Sequence, residues 1–418
     1  MAPRDQAASS RLGRMRAAHP PRKRPVEYSI LYTATLCLLA GGAVMVYSAS
    51  SAESLLSGSG DASEYLKRYV MFGLIGLVAM HFAARHGLQA IRALTPLLLV
   101  AAFGLTVAVM LPGVGVTVNG ATRWLGAGPL QFQPSELLKV ALVLYAAQLL
   151  AARPTATHSV GTLAKPLLLV VGAACLLLMK QPDMGTTMVI CFAIGALLVA
   201  AGTPLRILAT IGGALAGLAT IMALAEPYRR ERLTSFLDPF SDAGDTGFQA
   251  VQALTAIGSG GLFGVGLGES VQKIFYLPEA HTDMILAIIG EELGLVGILG
   301  VIVLYGMIGY AGLRAAKLAR DLYSKLLAAG ITSLILCQAT LNFFAVLGMA
   351  PLTGVPLPFL SYGSSNLIVL LGAMGLLLNV AASGGGAARS GAKPKLEALA
   401  GGGGRPEAAR TPRTARAR

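Results

Sequence analysis

Long apolar segments recur along the chain, separated by shorter stretches that are polar or rich in glycine. A helix needs about 20 apolar residues to cross the hydrocarbon core of a bilayer. The pattern predicts ten such spans, at about 28–50, 69–85, 91–111, 134–152, 166–180, 185–202, 206–225, 283–312, 326–349 and 364–382. The predicted fold class is an all-α polytopic membrane protein of about ten transmembrane helices, with a large loop, 226–282, between helices 7 and 8.

The chain divides into one membrane domain between two tails. Residues 1–27 are basic and resemble the first region of a signal peptide, but the apolar stretch after them is too long for one, which predicts an uncleaved anchor. Residues 28–382 form the predicted transmembrane domain. Residues 383–418 are rich in Gly, Ala, Pro and Arg without an apolar period, and we expect them to be disordered.

Composition and charge fix the predicted orientation. Charged residues make up only 13% of the chain, against roughly 25% in soluble domains, so most of the chain avoids water. A cytoplasmic N-terminus places most of the 33 Lys and Arg residues inside, as the positive-inside rule requires. Both termini are then cytoplasmic and the 226–282 loop is extracytoplasmic. The basic tails carry no nucleic-acid-binding module, so we expect anionic lipid as their partner and no nucleic acid.

The extracytoplasmic loop ends in a candidate catalytic residue. His281 and Asp283 stand at the predicted membrane boundary, close to the start of the eighth span. Asp283 is either a helix cap or a general base, and partial desolvation would raise its pKa and strengthen it as a base. A His-x-Asp pair is too small for a metal site, so the residues alone predict no metal ligands. The glycines at 258–268 lack the P-loop pattern and argue against nucleotide binding.

Several cations are predicted on the outer side, where the positive-inside rule disfavours them. They are Arg229, Arg230, Arg232 and Lys273. Such a cluster indicates either an anionic ligand or an acidic patch on a partner protein. Arg123 stands beside the only Trp of the chain, Trp124. Arg123 suits a phosphate, whereas Trp124 is equally well explained as an anchor at the membrane interface.

The fourth span carries two charges near its start. Glu136 and Lys139 are spaced i,i+3 on one helical face, where they can pair. A charge within a span is costly unless it is paired or faces water. The two residues are therefore either a structural ion pair or the lining of a polar cavity for a head group. Asp183 is predicted to favour the start of the next helix, and the four cysteines have no metal-binding spacing.

From about residue 28 to residue 380 the chain resembles the SEDS (shape, elongation, division and sporulation) family of membrane proteins. The resemblance rests on the segments 45–50, 119–124, 133–139, 182–186, 228–233, 236–240, 247–249, 277–283, 290–294 and 351–363. Each segment alone is a weak signal, and together they are specific. Glu279 and Ala280 before His281, with the 247–249 segment, favour the cell-division branch over the elongation branch.

The resemblance implies a peptidoglycan glycosyltransferase that polymerises lipid II at the outer face of the bacterial plasma membrane, at the division site. The catalytic Asp of the family corresponds to Asp283, which would take the proton of the acceptor's 4-hydroxyl in an inverting displacement. The undecaprenyl pyrophosphate leaving group is expected to contact Arg229, Arg232 and Lys273, with Mg²⁺ or Mn²⁺ as a candidate cofactor. The other expected substrate contacts are Arg123, Glu136, Lys139 and His281.

The division branch implies a class B penicillin-binding protein, a transpeptidase, as partner, together with other membrane proteins of the divisome. Two alternatives remain open at this point. A lipid II flippase would use Glu136 and Lys139 in a translocation path, and a non-catalytic scaffold would recruit the transpeptidase. The change Asp283→Asn separates the readings, because only the enzyme needs this carboxylate to make glycan.

Overall fold

A computed structural model describes residues 24–56, 60–86, 88–118, 120–127, 130–225, 236–241, 243–244, 247–274 and 276–390. Helices dominate this part of the chain. Before the large loop they are α1 Val26–Leu56, α2 Glu64–Arg85, α3 Leu88–Ala108, α4 Pro134–Ala152, α5 Val160–Leu163, α6 Leu169–Lys180, α7 Met184–Ala200 and α8 Leu205–Ala225. Within and after it they are α9 Phe248–Gly260, α10 Ile285–Lys317, α11 Leu322–Val346 and α12 Ser364–Ser390.

The polytopic helical fold is confirmed. Within the described ranges, eight helical segments are long and apolar enough to cross a membrane. Two shorter apolar helices, Met184–Ala200 and Leu205–Leu218, occupy the sixth and seventh predicted spans. The fifth span is composite, because a π-helical turn, Ala164–Leu168, joins α5 to α6. Pro166 lies in this turn, where its missing N–H interrupts the regular α-helical hydrogen bonding.

Two helix boundaries differ from the predicted spans. The eighth span was predicted from 283, but α10 begins at Ile285, so Asp283 lies outside the helix. The last helix continues beyond 382 to Ser390, into the tail that was expected to be disordered. There Ser383 Oγ donates to Asn379 O at 2.5 Å, and Gly384 packs closely on Leu318. Residues 391–418 lie outside the described part.

A small sheet that the apolar pattern did not predict lies between α3 and α4. Its strands are β1 Gly115–Val118, β2 Ala121–Ala127 and β3 Leu130–Phe132, paired antiparallel in that order. Val116 pairs with Trp124, and Leu125 pairs with Phe132. These strands are too short for alternation to stand out, and glycines interrupt them. Trp124 therefore belongs to a sheet in the segment that joins the third and fourth predicted spans.

Within the described part of the large loop, helix α9 packs along α10. After α9 the backbone turns against a break in α10 at Gly294, which has φ 66° and ψ −162°. Leu295 N–H donates to Gly261 O at 3.0 Å, and Val265 N–H donates to Glu291 O at 2.9 Å. The loop thus makes hydrogen bonds to the backbone N–H and C=O groups that the break in α10 leaves without helical partners. Such groups need partners within the protein, because lipid offers none.

The centre of the bundle is formed by α4, α10, α11 and α12, which are the most buried of the eight spans. Helices α2 and α3 lie at the periphery and expose apolar side chains such as Val78 and Leu97, as lipid-facing helices do. Small residues bring the central helices close together. A Cβ at Gly375 would lie 2.3 Å from Met80 O, where α12 crosses α2.

Candidate active site

Asp283 lies in a tight turn directly before α10. Thr282 N–H and Met284 N–H both donate to Glu279 O, at 3.1 and 3.2 Å. The N-cap of α10 is Met284, which makes no side-chain capping bond. Asp283 is therefore not the helix cap that the sequence left open as an alternative. Its carboxylate lies at the end of the large loop and does not cap the helix.

The carboxylate of Asp283 is partly exposed but closely surrounded by protein atoms. Burial, followed by the negative charge of Glu279, raises the pKa of Asp283 to about 7. A hydrogen bond from Thr282 and the charge of His281 oppose this rise. A carboxylate with this pKa is matched to proton abstraction near neutral pH.

A polar side chain of a spanning helix binds the backbone carbonyl of Asp283. Asn342 Nδ2, on α11, donates to Asp283 O at 2.6 Å and to Val355 O at 2.8 Å. Gly354 comes so near that a Cβ there would lie 3.9 Å from Asp283 Oδ2. Asn342 thereby fixes the Asp283 turn to the segment 351–363.

The segment 351–363 has little regular structure, and side chains from the helices satisfy its backbone. Gln338 Nε2 donates to Pro356 O at 2.9 Å, and Tyr305 and Tyr69 donate to Pro358 O and Phe359 O, both at 2.6 Å. Gln338 is eight residues before the end of α11, so the segment descends about 12 Å along that helix. Irregular backbone at membrane depth requires such partners.

Glu136 and Lys139 form the ion pair that their spacing predicts. Lys139 Nζ lies 2.9 Å from Glu136 Oε1, and both side chains are at most 3% exposed. Lys139 also donates to Gln338 Oε1 at 2.8 Å. Because Gln338 and Asn342 are one turn apart on α11, this helix connects the ion pair with the Asp283 turn. The pair lies beneath the site rather than on its surface.

The His281 ring packs against two aromatic rings. Its ring centroid is 4.3 Å from that of Tyr65 and 5.7 Å from that of Tyr362. Its Nδ1 atom lies 3.4 Å from Glu53 Oε2, an ion pair when the ring is protonated. Its carbonyl accepts a hydrogen bond from Tyr362 N–H at 3.0 Å. His281 was expected to contact substrate, but its ring is buried among protein partners, and it acts on Asp283 through charge.

Two of the expected substrate cations are occupied by protein groups. Arg123 Nε and Nη2 donate to Gln181 O and Pro182 O at 2.9 and 2.6 Å, which ties the sheet to the start of α7. Lys273 is buried, with Nζ 2.9 Å from Glu292 Oε1 and 2.6 Å from Gly268 O. Lys273 needs these partners because its ammonium group is desolvated. The Arg123 guanidinium is only partly buried, and its contacts join two parts of the fold. Asp183 caps α7 as predicted, accepting from Thr186 N–H at 3.1 Å.

Arg229 and Arg232 lie outside the described residues, so their expected place at the pyrophosphate stays a prediction. Among the described residues, no group of three or more His, Cys, Asp and Glu side chains could hold a metal ion. The Mg²⁺ or Mn²⁺ expectation from the resemblance remains untested, and no step below depends on it.

Sequence reasoning missed three polar residues of the site. Gln338 and Asn342 interrupt an apolar span at helical i,i+4 spacing, a signal that marks one polar face inside a membrane. This pattern was available and overlooked. Glu53, which faces His281, carries no comparable signal, because only the packing of α1 against the loop brings the two together.

The profile of the FtsW/RodA/SpoVE family, described as cell cycle protein, matches residues 29–384. Stage V sporulation protein E of Bacillus subtilis is 41% identical over 353 residues, which are 84% of this chain and 96% of that protein. The probable peptidoglycan glycosyltransferase FtsW of Thioalkalivibrio sulfidiphilus is 45% identical over 358 residues, 84% of this chain and 88% of that protein.

Solved structures with the same fold include two of interest. One is a chain of a peptidoglycan synthase complex that coordinates polymerization and crosslinking, with a TM-score of 0.70 and 30% identity over 85% of this chain and 97% of that chain. The other is the rod shape determining protein RodA of Thermus thermophilus, with a TM-score of 0.61 and 30% identity over 84% of this chain and 95% of that chain.

Proposed function

Because the chain belongs to the FtsW/RodA/SpoVE family, we propose that it is a peptidoglycan glycosyltransferase that polymerises lipid II outside the plasma membrane. Similar proteins named for this activity, such as the FtsW of Thioalkalivibrio sulfidiphilus, support the proposal. The structural observation that supports the proposal most strongly is the environment of Asp283. Its carboxylate is held outside the helix, partly exposed, with a pKa raised to about 7.

The proposed reaction is a single displacement. Asp283 takes the proton from the 4-hydroxyl of the acceptor GlcNAc as that oxygen attacks the anomeric carbon of the donor. The bond from this carbon to undecaprenyl pyrophosphate breaks, and the anomeric centre inverts. General-base catalysis contributes about 10²–10⁴-fold. Arg229 and Arg232 remain the proposed contacts of the pyrophosphate, since guanidinium groups match phosphate geometry.

Chemistry at this place suits a lipid-linked substrate. The Asp283 turn lies directly before α10, and Asn342 joins it to a segment that descends into the bundle beside α11. The polyprenyl chain of a donor can stay in lipid while its sugar reaches the carboxylate. The similarity to a chain of a peptidoglycan synthase complex supports a class B penicillin-binding protein as the proposed partner. The proposed location of the pair is the division site. Both termini of this chain are proposed to be cytoplasmic.

The flippase and scaffold alternatives make different use of the same residues. The Glu136–Lys139 pair is buried and fixed to Gln338, as expected of a structural pair rather than an open path. Purified lipid II supplied to the chain with its partner tests the proposal. Asp283→Asn should lower glycan polymerisation by about 10²–10⁴-fold and leave any lipid II flipping in liposomes unchanged. Polymer made at the wild-type rate by Asp283→Asn would refute the enzymatic function.

A further inference from the structure

A hydrogen-bonded chain of three side chains leads from Asp283 towards solvent. Thr282 Oγ1 lies 3.2 Å from Asp283 Oδ1 and 2.7 Å from Glu279 Oε2. Asp283 is partly buried, whereas Glu279 is exposed. A hydroxyl thus stands between a recessed carboxylate and one that faces water.

The distances favour one order of donors and acceptors among the three side chains. A Thr hydroxyl has one proton to donate and two lone pairs that accept. The hydroxyl of Thr282 lies 2.7 Å from the Glu279 carboxylate, closer than the 3.1 Å to the Glu279 carbonyl. With Asp283 ionised, the Thr282 hydroxyl can donate to Asp283 Oδ1 at 3.2 Å or to Glu279 Oε2 at 2.7 Å. Once Asp283 holds a proton, it becomes the donor to Thr282 Oγ1, and the Thr282 proton turns to Glu279 Oε2. In this order each group is ready to pass a proton outward.

The backbone is shaped to bring these groups together. Glu279 has φ 56°, a left-handed conformation that is uncommon for a residue with a side chain. Its carbonyl accepts hydrogen bonds from Thr282 N–H and Met284 N–H, which closes the turn. Such strained positions persist where the surroundings over-determine them, and they cluster at functional sites. The result is a carboxylate turned back over Thr282.

We propose that Thr282 and Glu279 form a relay that carries the proton taken up by Asp283 out to water. This proposal rests on the proposed general-base role of Asp283. After each displacement, Asp283 Oδ1 donates its proton to Thr282 Oγ1 while the Thr282 hydroxyl proton passes to Glu279 Oε2. Glu279 then releases a proton to water. One proton leaves, and Asp283 returns to its ionised form.

Repeated polymerisation requires that Asp283 be deprotonated after every displacement. The base must lose its proton before it can serve the next acceptor hydroxyl. We expect an acceptor sugar bound at Asp283 to cover the exposed part of this residue and to close its direct contact with water. The path through Thr282 remains open, because Glu279 lies on the exposed side of the turn. Both residues act through Asp283, so their loss should lower kcat and leave the KM for lipid II unchanged.

The first test replaces the hydroxyl. Thr282→Val keeps the shape and removes the relay, and we expect kcat to fall about tenfold or more, within the range of acid–base catalysis. Thr282→Ser keeps a hydroxyl and should restore kcat to within about threefold of the wild type. Thr255→Val is the matched control, because the Thr255 hydroxyl only bonds Val251 O of its own helix. Equal Tm values for the variants show that folding is not the cause.

The second test replaces the terminal carboxylate. Glu279→Gln can still accept from Thr282 but cannot take the proton, so the plateau kcat should fall and recover with high concentrations of a small carboxylate buffer. The exposed Glu269 supplies the control Glu269→Gln. A shift of the pH profile with an unchanged plateau kcat would mean that Glu279 acts only through its charge, which would overturn the relay.

The relay and the proposed function can fail separately. If Asp283→Asn polymerises normally, the general-base role itself is wrong. If Asp283→Asn is inactive while Thr282→Val keeps the wild-type kcat, the base is right and the relay is wrong. Support for the relay requires a slow Thr282→Val, an active Thr282→Ser and a Glu279→Gln that added buffer rescues.

Discussion

Asp283 experiences opposing influences that together set its proton affinity. Burial and Glu279 favour its neutral form, while Thr282 and His281 favour its charged form. Glu53 of α1 lies beside His281, with its Oε2 atom 3.4 Å from His281 Nδ1. These neighbours belong to α1, to the 278–284 turn and to no single stretch of sequence. The strength of the base is therefore a property of the folded site.

The pH dependence of the reaction should report this environment. Only ionised Asp283 accepts a proton, and its pKa is raised to about 7. The polymerisation rate should therefore rise with pH through about 7 and reach a plateau above it, falling about tenfold per unit well below that value. Initial rates of lipid II consumption between pH 5 and 9 measure the profile. A rate that stays flat down to pH 5 would contradict the raised pKa.

At the level of single residues the sequence was a partial guide. Asp283, Glu136 and Lys139 could be selected because charges at a membrane boundary or inside a span are conspicuous. The buried partner of Lys273 could not be predicted, since its sequence position on the outer side does not reveal that Glu292 lies 2.9 Å away. Thr282 and Glu279 were visible in the motif, but their hydrogen bonds depend on the turn geometry.

Helix α10 is the element that joins the site to the bundle, and its break at Gly294 organises the loop after α9. The φ and ψ of Gly294 fall in a region that is accessible essentially only to glycine. A Cβ at Gly294 would lie 2.4 Å from Gly264 N. Both the backbone conformation and the contact exclude a larger residue.

Gly294→Ala should destabilise the protein by at least about 2 kcal/mol, from backbone strain and the clash with Gly264. Gly300 provides a matched control in the same helix, because a Cβ there would meet no atom within 4 Å. Gly300→Ala should keep or raise stability, since Ala favours a helix over Gly. Thermal unfolding in detergent measures both variants. Equal Tm values would show that the break at Gly294 is not required.

Two adjacent carboxylates of α10 fasten the loop to the bundle. Glu292 is bound by Lys273 and by Ser48 of α1, whose hydroxyl donates at 2.6 Å. Glu291 accepts from Ser270 Oγ at 2.5 Å and from Val271 N–H at 3.1 Å. The loop before Asp283 is therefore positioned by polar contacts with α10 and α1. Removing one charge leaves its partner buried without compensation.

Lys273→Met should cost about 3–5 kcal/mol, because it leaves the buried Glu292 carboxylate without a compensating positive charge. The double change Lys273→Met with Glu292→Gln removes both charges and should recover much of this loss. Polymerisation should recover in step with Tm if Lys273 has the structural role seen here. If Tm recovers and activity does not, Lys273 contacts the substrate as the sequence first suggested.

For the whole molecule, the apolar pattern predicted the helical membrane fold because lipid imposes a minimum length on every spanning helix. It could not predict the β1–β3 sheet or α9, whose short segments carry weak periodic signals. It also could not predict the descent of residues 351–363 into the bundle. That path depends on side chains of other helices, among them Asn342 and Gln338, that bind its carbonyl groups.

The proposed topology places the two ends of α10 on opposite sides of the membrane. Exposed residues near these ends are Glu269 in the large loop and Arg320 between α10 and α11. Glu269→Cys should react with an impermeant thiol reagent in intact cells, and Arg320→Cys only after the membrane is opened. The unmodified chain is the background, since its four cysteines lie in α1, α6, α7 and α11. The reverse pattern of labelling would invert the topology.

Glycan synthesis from purified lipid II tests the central claim most directly, with gel analysis of the polymer made by the chain and its transpeptidase partner. Asp283→Asn should lower the polymerisation rate by about 10²–10⁴-fold while the variant stays folded and bound to its partner. Asp238→Asn, at an exposed position of the same loop, should polymerise like the wild type. Glycan strands made at the wild-type rate by Asp283→Asn would contradict the role of this carboxylate as the general base.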